Sequence, residues 1–147
     1  GLTEAVHGMA AYGGGGGGAG DLLPRLLSCT QAGVVHCWDL NSGTLLDAQV
    51  LHAGESRYVS ASGGVGGGDA QLVLTSGFDG RIGLCQVGGA GRDPADLTRN
   101  RRFAAHPSAR VLQAKWNPNP VALAAPGAKR SYLSCGTDGL VKLWRVW

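Results

Sequence analysis

The sequence is short of charge and of aromatic rings, and no stretch of it sustains a helical period. Charged residues make up 16% of the 147 residues and aromatic ones 6%, against 44% hydrophobic. A disordered chain needs the opposite balance, so a packed core is expected, enough for one domain. The apolar runs fall far short of the roughly 18–20 residues that a membrane span takes. The start, Gly1-Leu2-Thr3-Glu4-Ala5, has no basic stretch and no apolar run behind it, so neither a secretory signal nor a membrane partner is read here. Paired cysteines are missing as well. Cys29, Cys37, Cys85 and Cys135 stand 8, 48 and 50 residues apart, which suits neither a zinc ribbon nor a disulfide framework. Each sits in an apolar, strand-like run where a free thiol acts as a small hydrophobe, so an intracellular, reducing setting is expected.

Charge is scarce but unevenly placed. Residues 1–80 carry Arg25 and Arg57 against seven acids, a net of −5, and residues 81–147 carry eleven bases against three acids, a net of +8. A basic half suits an acidic partner surface, and it is equally what a solvated face looks like. Arg92, Arg99, Arg101, Arg102 and Arg110 form the one basic cluster, a candidate partner-binding patch. Charges on an outer strand also guard an open edge against pairing. No aromatic residues interleave with these arginines, so a protein partner is favoured over nucleic acid.

What is abundant is repetition. Three segments, 26–38, 73–85 and 132–144, each read as an apolar strand, a polar turn ending in glycine, and a second alternating strand, which is a β-hairpin signature. Before each hairpin come a histidine (His7, His52, His106) and a further strand-like run at 9–12, 58–62 and 111–116. Runs at 44–51 and 97–103 follow the first two hairpins, so the unit is four short strands in about 45–60 residues. Longer segments at 13–18, 63–69, 88–96 and 117–130, several of them glycine-rich, read as connections inserted on one side of the repeats.

This pattern resembles the WD-repeat family over nearly the whole chain, with Trp38-Asp39 and the run from Asp138-Gly139 to Leu143-Trp144 as its recognisable signatures. The resemblance implies an all-β fold: the C-terminal three blades of a β-propeller, at about 7–51, 52–105 and 106–147, each blade a four-stranded antiparallel sheet. It also makes Trp147 the end of the domain. Propellers need roughly 4–8 blades, so about four more are expected outside this chain. In the family a histidine, a turn aspartate, a strand serine or threonine and a strand tryptophan bond together in each blade. The third unit matches with His106, Asp138, Ser134 and Trp144. The second has His52, Asp79 and Thr75, with Cys85 in place of tryptophan. The first has His7, Ser28 and Trp38, with Ala32 in place of the aspartate.

Three other readings are weaker. His106, Asp138 and Ser134 are the inventory of a hydrolase triad, but the same types recur in repeat register beside a tryptophan, which marks a structural network. The six glycines at 13–18 satisfy G-x-G-x-x-G without the strand before and helix after that a dinucleotide site requires. His36 has no second ligand at a plausible spacing. No catalytic residue, cofactor, metal or small-molecule substrate is therefore expected. The expected role is a non-catalytic scaffold that binds other protein subunits in a larger intracellular, cytoplasmic assembly. The basic late segment and the run from Trp116 to Pro118 are similar to dynein intermediate chains, which would imply a motor or ciliary complex. The stretch from Val111 to Leu143 is similar to a WD-repeat subunit of transcription factor IIIC, which would imply nuclear, nucleic-acid-associated work.

Overall fold

In the computed structural model, residues 4–13, 23–62, 71–88, 93, 95–118 and 130–146 are described below. Most of the inserted connections at 13–18, 63–69, 88–96 and 117–130 lie outside them, as do Arg92 and Trp147. All regular structure among the described residues is β. Sheet 1 comprises β1 (Val6–Tyr12), β2 (Arg25–Thr30), β3 (Val34–Asp39) and β4 (Leu45–Val50). Sheet 2 comprises β5 (Ser56–Ala61), β6 (Gln71–Gly77), β7 (Arg81–Val87) and β8 (Asn100–Ala104). Sheet 3 comprises β9 (Val111–Trp116), β10 (Arg130–Gly136) and β11 (Val141–Val146). Each is an antiparallel meander in chain order, with four strands in sheets 1 and 2 and three in sheet 3. No helix among the described residues is long and apolar enough to cross a membrane.

The three sheets repeat one register. Met9 faces Ser28, Val59 faces Thr75 and Ala114 faces Ser134, and in each first strand a bulge falls at the same place, at His7, Arg57 and Leu112. The sheets stack face to face in sequence order and do not close on themselves. Strand alternation fills the two gaps. Leu27, Cys29, Val35 and Cys37 of sheet 1 meet Val59, Val73, Cys85 and Val87 of sheet 2 in one buried cluster. Leu74 and Ile82 from the other side of sheet 2 meet Val111, Ala114, Trp116 and Tyr132 of sheet 3 in a second. A fully buried Leu or Ile contributes about 1.5–3 kcal/mol, so these two layers carry the stability. The cysteines are all free. Burial holds Cys85 as a thiol, its pKa pushed up to about 12.

Each second hairpin turns on a glycine with positive φ, the bulge form of a type I turn. Gly80 shows why nothing else fits. Its φ is 75°, and its amide returns to the Gly77 carbonyl at 3.2 Å. Its own carbonyl accepts the amides of Ala105 and His106, both at 3.0 Å, and so seats the link into sheet 3. Gly33 does the same for Leu51 and His52 at the entry to sheet 2. A Cβ on Gly80 would lie 2.5 Å from the His106 carbonyl oxygen and 2.6 Å from that of Ala109. Gly43, with φ 70°, has open space there. Thermal unfolding should therefore show Gly43→Ala costing about 1 kcal/mol for the backbone alone and Gly80→Ala more than about 3 kcal/mol, because the junction must also part. Equal costs would mean that the turn does not hold the next sheet.

Candidate functional site

The polar side chains singled out in the sequence gather at one end of the sheets, beside the hairpin turns. In sheet 3, Trp144 Nε1–H donates to Ser134 Oγ at 2.8 Å. Ser134 Oγ stands 2.9 Å from His106 Nε2, and His106 Nδ1 stands 2.8 Å from Asp138 Oδ2. A neutral ring protonated at Nδ1 completes the chain, from indole to hydroxyl to imidazole to carboxylate, with every group satisfied. In sheet 2, His52 Nε2 lies 2.8 Å from Thr75 Oγ1 and His52 Nδ1 lies 3.0 Å from Asp79 Oδ1. Asp79 also accepts the Ala53 and Arg81 amides, which ties the link, the turn and β7 together. Cys85 fills the tryptophan's place, fully buried against sheet 1.

Sheet 1 departs from the expected set. Trp38 Nε1–H does donate to Ser28 Oγ, at 2.9 Å. His7, however, lies inside β1 at the bulge, only two residues before the partner of Ser28, and not in a link ahead of the sheet as His52 and His106 do. His52 and His106 precede the equivalent positions, Val59 and Ala114, by seven and eight residues. The corresponding places in the first unit are Gly1 and Leu2, outside the described residues. Packing supplies the reason. A Cβ on Gly77 or Gly136 would run into the His52 or His106 ring. Thr30 occupies that same register position in sheet 1 and fills the histidine's space. Its buried hydroxyl donates instead to Glu4 Oε2 at 2.9 Å. Glycine against threonine two residues beyond the serine was the signal available in the sequence.

Ser134 and His106 have a triad's spacing but not its access. His106 is fully buried and Ser134 is 2% exposed. The serine oxygen already accepts the indole proton. Such a hydroxyl lies in the core, where no substrate carbonyl can approach. Among the described residues no three His, Cys, Asp or Glu side chains are placed to hold a metal ion. His36 is nearly buried, with an unpartnered Nδ1, beside the Trp38 ring.

The four arginines of that cluster that are described, Arg99, Arg101, Arg102 and Arg110, do not share one patch. Arg101 and Arg102 are adjacent on β8 and so point to opposite faces, and Arg99 lies just before that strand. Arg102 reaches the Leu51 carbonyl at 3.4 Å, and Lys142 donates likewise to the Ala105 carbonyl. Those two cations brace equivalent points, the residue before each linking histidine. Arg110 stands apart in the link before β9, its guanidinium 4.8 Å from the centre of the Phe78 ring. Arg57 approaches the same ring at 4.9 Å. The sequence singled out Arg110 but not the Phe78 group, because its members are remote in the chain and their residue types do not recur at the equivalent repeat positions.

No protein-family model matches the chain, and no curated protein matches it.

Burial lowers the pKa of His52, outweighing the opposing pull of Asp79. For Asp79 burial pushes upward, but the Ala53 and Arg81 amides and the His52 ring bring the net shift down. The two shifts act at different pH. As pH falls below about 6.5, an unfolded histidine takes up a proton that buried His52 refuses, so stability declines towards the lower folded value. Asp79's contribution is complete above about 3.9 and is lost only as pH falls through its depressed folded value. Urea unfolding of His52→Asn should thus give a shallower loss of stability between about pH 6.5 and 5 than the unaltered protein. Thr75→Val leaves the His52 Nε2 unpaired and should cost about 1–3 kcal/mol at pH 7. A cost near zero would show that the hydroxyl does not anchor the ring.

Proposed function

We propose that the chain is a run of three blades of a WD-repeat β-propeller and serves as a non-catalytic protein-binding scaffold. The observation that carries the reading is a mismatch of exposure at equivalent positions. Val35 and Ile82 are fully buried under or over the next sheet, while Val141, in the same register, is 70% exposed. Leu133 and Leu143 share that outward face of sheet 3 and are about half exposed. At the other end Met9 is 66% exposed where Val59 and Ala114 are buried. A stack that ends on two apolar faces is one that continues. Gly139 adds to this, for it repeats the φ of Gly80 but has nothing packed against it. The third strand of sheet 3 likewise stands as an edge where sheets 1 and 2 have a fourth. The hydrogen-bonded sets centred on His52 and His106 fit the WD-repeat resemblance, and the rigid stack presents many separate turns and edges to partners.

Within this reading the chain belongs to a larger cytoplasmic complex, and likeness to dynein intermediate chains favours a motor or ciliary one. The alternative, a nucleic-acid-associated subunit in the nucleus, draws on the basic late half, but Arg102, though exposed, already donates to the Leu51 carbonyl, and among the described residues no aromatic ring stacks with Arg99 or Arg101.

Two measurements test the proposal in the intact protein. Val141→Asp should lower stability by more than about 3 kcal/mol if a further sheet covers that face, whereas a solvent-facing valine would tolerate the change within about 0.5 kcal/mol. Purified under about 0.5 M salt, the protein should retain partner subunits in fixed stoichiometry. Recovery of nucleic acid alone, released at that salt, would replace the scaffold reading with the nuclear one.

A further inference from the structure

We infer that the cleft beside Phe78, where sheet 2 meets sheet 3 at their turn end, is a docking site for an acidic peptide segment of a partner protein. This deepens the scaffold reading and rests on it for the polypeptide nature of the ligand. The cleft is an open depression lined by Phe78, Asp79, Ser108, Ala109, Arg110 and Thr137. Its walls come from three places: the turn between β6 and β7, the link before β9, and the turn between β10 and β11.

Arg110 is the group that gives the cleft its preference. Its guanidinium lies over Phe78, and among the described residues no carboxylate pairs with it. Arg57, on the same ring, is already held by Glu55 at 3.1 Å. The ring therefore fixes one unneutralised planar cation at the cleft mouth, with little rotamer freedom left to lose on binding. Beside it, the Thr137 hydroxyl oxygen accepts the Arg110 amide at 3.0 Å, which leaves the hydroxyl proton free to donate. A guanidinium fork with a neighbouring hydroxyl suits a carboxylate. Ser108 shapes the wall with a φ of 62°, the one positive value for a non-glycine residue among those described.

The same residues select against a polyphosphate chain. Asp79 lines the cleft as a carboxylate, its pKa held low. Arg57 is paired with Glu55, and Arg110 is the one cation among the described residues that lines the depression, whereas a nucleic-acid backbone needs a track of them. A carboxylate side chain set among neutral peptide groups meets Arg110 without crowding Asp79.

Fluorescence anisotropy on the intact protein tests this, with a labelled peptide carrying a single Glu among neutral residues as the probe and a labelled oligothymidylate as its rival. Saturable peptide binding is expected, weakened about tenfold by Arg110→Ala and less by Arg110→Lys, which keeps the charge but not the fork. Phe78→Leu should also weaken it, by releasing the guanidinium, while Arg101→Ala should leave it unchanged. Arg110 is exposed, so its variants should melt with the unaltered protein. Equal affinity in Arg110→Ala, or tighter binding of the oligothymidylate than of the peptide, would overturn the site. If partner subunits still co-purify with Arg110→Ala while the peptide affinity does not change, the scaffold reading stands and this site alone falls.

Discussion

The structure depends on a small polar clasp between successive sheets. A turn glycine in the left-handed region offers its carbonyl to two amides of the following link, and a cation braces the carbonyl just before the linking histidine. Apolar layers supply most of the energy but little direction, since burial is proportional to area and indifferent to angle. The clasp supplies the direction. It fixes how far each sheet is displaced from the last, and hence which apolar residues meet. It also explains why His52 and His106 are buried despite their polarity: each ring spans from the link to the turn and the strand behind it, with both nitrogens satisfied.

Once the register is shared, departures in one unit become informative. Cys85 replaces an indole where sheet 1 presses close, and Trp144 keeps its indole where Phe103 and Tyr132 pack around it. In sheet 1 the Thr30 hydroxyl donates to Glu4, where the other two sheets have a histidine bonded to both a strand hydroxyl and a turn aspartate. Strand pairing and apolar layering thus tolerate loss of the polar set, and the Ser28–Trp38 bond survives without its histidine. The polar network refines the stack, and burial sustains it.

The stack leaves two kinds of surface over. One kind is apolar and belongs to the stack itself, on the outward sides of sheets 1 and 3. The other kind is polar and peculiar to this chain, assembled where the turns of neighbouring sheets converge. The Phe78 group is of the second kind. It joins Arg57, Phe78 and Arg110 from three separate segments, and no repeat rule requires any of them.

The sequence by itself determined the strand content, the four-part repeat and the pairing of serine with tryptophan, because alternation, turn glycines and residue spacing are local properties of the chain. Repeat register also singled out His52, Asp79 and Thr75, and His106, Asp138, Ser134 and Trp144, side chains that stand within hydrogen-bond distance of one another. His7 misled, since the distance from a histidine to a hairpin ignores how much of the interval becomes strand. Only the tertiary structure decided that Thr30 takes the histidine's space, that Arg102 serves a junction while Arg110 rests on Phe78, and that Val141 faces outward. Those outcomes depend on contacts between residues dozens of positions apart, and such contacts exist only after the sheets have stacked.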